Sequence, residues 1–142
     1  MFIQNVSYAD VVHGNHPDGD VLIQIVDPCV EFPCLKKYWA FREIHKFEFS
    51  DVERETDIAW EFRMNETQAR EIASILRNAK SNNQSVIVHC IAGLCRSGAV
   101  AEVGVMIGFE DTGVYRQPNL HVKHSLMREL NLTTDYENFF GE

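Results

Sequence analysis

Residues 85–107 read SVIVHCIAGLCRSGAVAEVGVMI, and their reading decides the fold. Ser85-Val86-Ile87-Val88-His89 is short, apolar and β-branched, the composition of a strand buried on both faces. Val100, Val103, Gly104 and Ile107 then share one helical face, so a helix is expected from about Ser97 to Ile107, with Gly108 closing it. Between the two lies Cys90–Arg96. A loop joining a strand to a helix N-terminus can curl so that successive N–H groups point inward. Such a nest binds an oxyanion, and the helix dipole adds positive charge. Ile91, Ala92, Gly93, Leu94 and Cys95 would supply those amides. Gly93, at mid-loop, can take a dihedral that a side chain forbids. Arg96 can return over the bowl and hold two anion oxygens in a fork. Cys90 would form the floor beneath.

Working upstream, Asn65 is an N-cap with Gln68 three residues on, and Ile72, Ile75, Leu76 and Ala79 make one apolar helical face. Arg77 and Lys80 suit its last turn, and Ser81-Asn82-Asn83 ends it. Residues from Ser50 to about Met64 read as a polar loop. Ile44–Phe49 alternates and reads as a strand, as does the apolar run Val21–Val26, stopped by Asp27-Pro28. Residues 13–20, HGNHPDGD, form a turn cluster; residues 28–38 read as loop, with a helical turn near Leu35–Phe41. The first 40 residues match no motif. Downstream, a last helix should begin after Pro118 and carry Val122, Leu126 and Leu130. This order predicts one α/β domain over residues 1–142, a central, mostly parallel sheet flanked by helices. Ligands in such folds bind at the carboxyl ends of strands, which again points to Val88–Ala99.

Composition agrees with one folded domain. The chain has 142 residues, of which 45% are hydrophobic and 24% charged. Its net charge of −8 disfavours nucleic acid and anionic membranes as partners, so an anion site must be local and built. Nothing resembles a signal peptide or a membrane span, and four cysteines are too few for a disulfide scaffold. A cytoplasmic, reducing location with free thiols is the expectation.

The groups that bind an anion also stabilise a thiolate. An ordinary cysteine, with a pKa near 8.5, is only about 3% ionised at neutral pH. In an electropositive loop the pKa can fall to roughly 3.5–7.5. The same site can then bind a tetrahedral dianion and attack it. Ser97 can donate a hydrogen bond to the thiolate and ease its departure. His89 is expected to face away and to order the loop. A cysteine ending a strand is more often an inert small hydrophobe. The apolar strand, His-Cys, mid-loop glycine, Arg-Ser and amphipathic helix together outweigh that reading.

His89–Ser97, HCIAGLCRS, resembles the HCxxGxxRS signature of the cysteine-dependent protein phosphatases, dual-specificity branch, and is most like their small stand-alone bacterial and phage members. The resemblance spans about Phe47–Leu130. It implies the tyrosine/dual-specificity phosphatase fold and hydrolysis of phosphomonoesters through a phosphocysteine on Cys90. Arg96 would bind phosphate and the transition state, and Ser97 would assist breakdown of the intermediate. No metal or other cofactor is implied. An upstream aspartate would be the general acid. Asp51 follows its strand directly, where the family places the acid; it lies 39 residues before Cys90. Asp57 lies 33 residues before it, nearer the usual family spacing. Strand-end placement favours Asp51, with Asp57 the alternative. Glu53, Glu55 and Trp60 lie in the extended loop between strand and helix.

Cys95 repeats a spacing seen in the loop of low-molecular-weight tyrosine phosphatases, and could trap an oxidised Cys90 as a disulfide. A buried packing thiol is the plainer expectation. Cys29 and Cys34 have no partners spaced for zinc. His13, His16, Asp18 and Asp20 are better read as a solvated turn than as ligands, and His121 and His124 as helix-surface residues. The variable loop positions Ile91, Ala92, Leu94 and Cys95 carry no charge. Phosphoinositide-directed relatives tend to place lysines there, so a phosphorylated protein or peptide is the expected partner. Lys36, Lys37, Lys46, Arg54, Arg63, Arg116 and Lys123 could still assemble a secondary basic patch. Two other readings stay open: an arsenate reductase-like thiol enzyme, or a non-catalytic phosphate-binding module. Sequence does not fix the oligomeric state.

Overall fold

The computed structural model describes residues 1–55, 57–59 and 61–132. The buried run Val86–Cys90 (β4) is flanked by Phe2–Ser7 (β1) and Val21–Val26 (β2), and every pairing is parallel. Glu43–Glu48 (β3) adds to β2, and the two-residue Glu110–Asp111 (β5) adds to β1. The sheet order is β3-β2-β4-β1-β5. The expected α/β class and mostly parallel sheet are therefore what the chain forms.

Strand alternation sorts the core into two layers. Ile3, Ile23, Ile25, Val86, Val88 and Cys90 join one cluster with three helices: Glu66–Ser81 (α2), Arg96–Met106 (α3) and Leu120–Glu129 (α4). Val6, Leu22 and Ile87 face the other way, against Val11 of the short helix Tyr8–His13 (α1). Burying two faces of a sheet requires cover on both, and α1 with Leu35 and Phe41 covers the second. Among the described residues no helix is long and apolar enough to cross a membrane.

The helix α2 begins where its cap predicts. Asn65 accepts from the Gln68 N–H while Gln68 returns a bond to the Asn65 N–H, a complete capping box. The helical turn expected near Leu35–Phe41 is a 3₁₀ turn at Tyr38–Ala40. Three elements, β1, α1 and the two-residue β5, escaped sequence reading. β1 gains its backbone partners 80-odd residues away on β4, so little local pattern marks it. For α1 there was a signal: Ser7 and Asp10 form a second capping box.

Two local expectations need correction. His16 is not in a solvated turn: it is 9% exposed, stacks on Phe41, and its carbonyl accepts from Lys37. His121 is not simply on a helix surface, because its Nε2 lies 2.7 Å from the Met64 carbonyl and ties α4 to the end of the 51–64 loop. That loop is also fastened at its mouth. The Ser50 N–H donates to the Phe62 carbonyl (2.6 Å) and the Phe62 N–H to the Ser50 hydroxyl (3.0 Å). Trp60 lies outside the described residues.

Candidate active site

The carboxyl ends of β1, β2, β3 and β4 meet the N-terminus of α3, and the Cys90–Ser97 segment lies there. Cys90 is 2% exposed, and its Sγ stands 3.2 Å from the hydroxyl of Ser97, itself fully buried in the first turn of α3. The segment is held from outside by its carbonyls. Ile91 O accepts from the Tyr8 N–H (3.1 Å), Gly93 O from the Asn5 amide (2.7 Å), Leu94 O from the Gln117 N–H (3.0 Å) and Cys95 O from the Asn119 N–H (3.0 Å). In a trans peptide the next residue's N–H points opposite to the carbonyl. The amides of Ala92, Leu94, Cys95 and Arg96 are thereby turned away from those partners.

Gly93 is required here. Its φ is +74°, and a Cβ would stand 2.6 Å from both the Ser7 nitrogen and the Val6 carbonyl carbon. The loop therefore sits directly on the β1–α1 junction, and only glycine permits the approach.

Arg96 is 4% exposed. Its Nη1 donates to the Phe49 carbonyl (2.8 Å) and to Asp27 Oδ1 (3.0 Å). Its Nε is buried with no hydrogen-bond partner among the described residues. A buried guanidinium N–H left unpaired carries a free-energy cost that a bound oxyanion would remove. Asp27, at the end of β2, was missed in the sequence, where it appeared only as a strand stop. Only the parallel pairing of β2 with β4 brings it to Arg96.

His89 points to the opposite side of β4, as expected. It is fully buried between Gln24, whose Nε2 lies 3.1 Å from the His89 Nε2, and the edge-on ring of Tyr8. Burial lowers its pKa to about 4, with the Arg96 charge assisting. The ring is neutral, with its Nε2 paired to the Gln24 side-chain amide. The other nitrogen carries the proton and lies 3.5 Å from the Cys90 carbonyl.

The two candidate acids are placed apart. Asp51 comes to the loop: its Oδ1 accepts from the Asn119 amide at 2.9 Å, and its carboxyl is close enough to the Cys95 thiol to act on it electrostatically. Burial first, then Asp51, raises the pKa of Cys95. Asp57 instead lines a cavity of about 670 Å³ with Phe62, Arg63, Met64 and His121, bounded by α2 and α4 and without Cys90 or Arg96. Asn119 was also missed in the sequence. Pro118-Asn119 ahead of an apolar helical pattern was the signal that could have found it.

Among the described residues no group of acidic, histidine or cysteine side chains is arranged to hold a metal. Much of the basic set is neutralised locally. Lys37 pairs with Asp18, Arg63 with Glu55, Arg116 with Asp111 and Glu102, and Lys123 with Glu102.

No protein-family model matches the sequence, and no curated protein does. Solved structures do. The human tyrosine phosphatase-like serine/threonine/tyrosine-interacting protein superposes with a TM-score of 0.60 at 15% identity, over 99% of this chain and 93% of that one. Human DUSP28 gives 0.51 at 12% identity, over 98% and 86%. OH1 from the Orf virus, a tyrosine phosphatase with triple substrate specificity, gives 0.50 at 17% identity, over 99% and 65%. The chain has the fold of the tyrosine and dual-specificity phosphatases. At these identities the likeness is one of fold.

Proposed function

We propose that this chain is a cysteine-dependent phosphatase that hydrolyses phosphomonoesters, phosphotyrosine first and phosphoserine or phosphothreonine as the wider class, on a protein or peptide. The observation that carries the reading is Cys90 Sγ 3.2 Å from Ser97 Oγ, beside an Arg96 whose buried Nε lacks a partner. A pure phosphate-binding module needs no thiol there.

The chemistry follows from the groups present. The phosphate oxygens take the inward amides of the loop and the free Arg96 N–H. Cys90, as thiolate, attacks phosphorus; an S–P bond forms as the P–O bond to the leaving group breaks. Asp51 gives its proton to the departing oxygen. Water then attacks the phosphocysteine, Asp51 takes a proton from it, and the S–P bond breaks. The Ser97 hydroxyl donates to the thiolate being released, and inorganic phosphate departs. The mechanism requires no metal.

The test is hydrolysis of p-nitrophenyl phosphate in dithiothreitol and EDTA, from about pH 5 to 8, by wild type, Cys90→Ser, Asp51→Asn and Asp57→Asn. Wild type is expected to turn over. Cys90→Ser should fall by on the order of 10⁴-fold or more. Asp51→Asn, and not Asp57→Asn, should lose the basic limb of the pH profile. An active Cys90→Ser enzyme sinks the proposal. An inactive wild type that reduces arsenate with thioredoxin would replace it.

A further inference from the structure

Asn119 ends the segment that runs beside the signature loop and caps α4. It is 2% exposed, and its bonds reach three parts of the molecule. Its backbone N–H donates to the Cys95 carbonyl in the loop (3.0 Å). Its Oδ1 accepts from the Val122 N–H, the helix cap (3.0 Å). Its amide NH₂ donates to Asp51 Oδ1 (2.9 Å) and to the Val52 carbonyl (3.3 Å). The orientation of this amide is not arbitrary. The cap needs an acceptor, so the oxygen faces Val122 and the NH₂ must face Asp51.

Asp51 lies at the start of a long loop whose second half is fastened elsewhere. Its carboxyl is exposed on a flexible two-bond stem. Proton transfer needs a heavy-atom approach of about 2.6–3.2 Å to the leaving oxygen. A carboxyl free to rotate would hold that position only part of the time. The Asn119 NH₂, backed by a helix and bonded to the same loop that carries Cys90, removes that freedom. Glu53 reinforces the join by accepting from the Leu120 N–H at 3.2 Å.

We infer that Asn119 is a positioning residue that holds Asp51 over the phosphate loop and registers the general-acid loop to the nucleophile. This rests on the assignment of Asp51 as the acid. A carboxyl held by its Oδ1 keeps the second oxygen for the leaving group, so the arrangement suits donation from Oδ2.

The test uses leaving groups of different basicity. A general acid matters most for a poor leaving group such as phenol and least for a good one such as 2,4-dinitrophenol. Asn119→Ser keeps the α4 cap, since serine caps about as well as asparagine, but its one short hydroxyl cannot reach Asp51. The thermal midpoint should therefore stay close to wild type. For this variant, kcat on phenyl phosphate should fall about tenfold, with a several-fold smaller loss on 2,4-dinitrophenyl phosphate. Asp51→Asn should show the same pattern more strongly, and the double variant should lose no more than Asp51→Asn alone. Equal losses of Asn119→Ser on both esters, or none on either, overturn the proposal and leave Asp51 in place. Asp51→Asn without any leaving-group dependence overturns the acid assignment, and this inference with it.

Discussion

His89 and Cys90 are adjacent in sequence and opposite in chemistry, because a strand sends neighbouring side chains to opposite faces. Cys90 faces α3 and the loop; His89 faces Gln24 and Tyr8 and is fully buried. Its folded pKa of about 4 lies below the 6.5 of an exposed histidine. The unfolded chain therefore binds more protons between these values, and stability is complete above about pH 6.5 and falls as pH drops toward 4. The loss from His89 alone is on the order of 3 kcal/mol. His121, its pKa also lowered by burial, acts in the same direction. Urea unfolding at pH 7 and at pH 4.5 would measure it; His89→Gln should flatten the dependence, by up to about 1.4 kcal/mol per pH unit. Cys95 shows the converse effect. Its raised pKa keeps it as a thiol at neutral pH, which works against rapid attack on an oxidised Cys90.

At the scale of elements, the site is a loop pressed between a strand end and a helix start. Gly93 makes the contact with β1, and Gly104 does the same further along α3, where a Cβ would stand 2.6 Å from Ile3 Cδ1. The two contacts differ in what can yield. Ile3 offers a side-chain end that can rotate; at Gly93 the opposing atoms are Val6 and Ser7 backbone. Gly93→Ala is therefore expected to cost about 2–5 kcal/mol, combining a positive φ with a backbone clash. Thermal unfolding with and without inorganic phosphate would read both effects: a lower midpoint, and loss of the upward shift that the proposed function expects phosphate to give wild type. A Gly93→Ala protein with the wild-type midpoint and shift would show that the loop does not sit on β1.

For the whole molecule, the proposed function makes charge a test of substrate choice. The net charge is −8, and four of the basic side chains that might have formed a second anion surface are paired with carboxylates. On the proposed function, phosphate would be drawn to the loop and Arg96 inside a field that is repulsive overall. A phosphopeptide with acidic flanks should show kcat/KM rising severalfold between about 10 and 150 mM salt, as screening relieves repulsion. One with basic flanks should show the reverse. Initial rates on the two peptides across that range decide it; matching salt responses would mean that net charge does not steer substrate.

The chain alone specifies a good deal. Local periodicity and caps mark β2, β3, β4, α2, α3 and α4, because each carries its pattern within its own residues. The same holds for Cys90, Gly93, Arg96 and Ser97, which fall within eight consecutive positions on one loop and helix start. What no local pattern carries is anything made by pairing at a distance. β1 and β5 exist through partners far along the chain. Asp27 becomes the partner of Arg96 across 69 residues, and Asn119 that of Asp51 across 68. The choice between Asp51 and Asp57 as the carboxyl beside the loop is of the same kind. Spacing counted along the sequence cannot see how a loop closes, and Ser50 bonded to Phe62 leaves Asp51 at the strand end and sends Asp57 to another cavity. Backbone and side-chain hydrogen bonds formed only on folding made that selection.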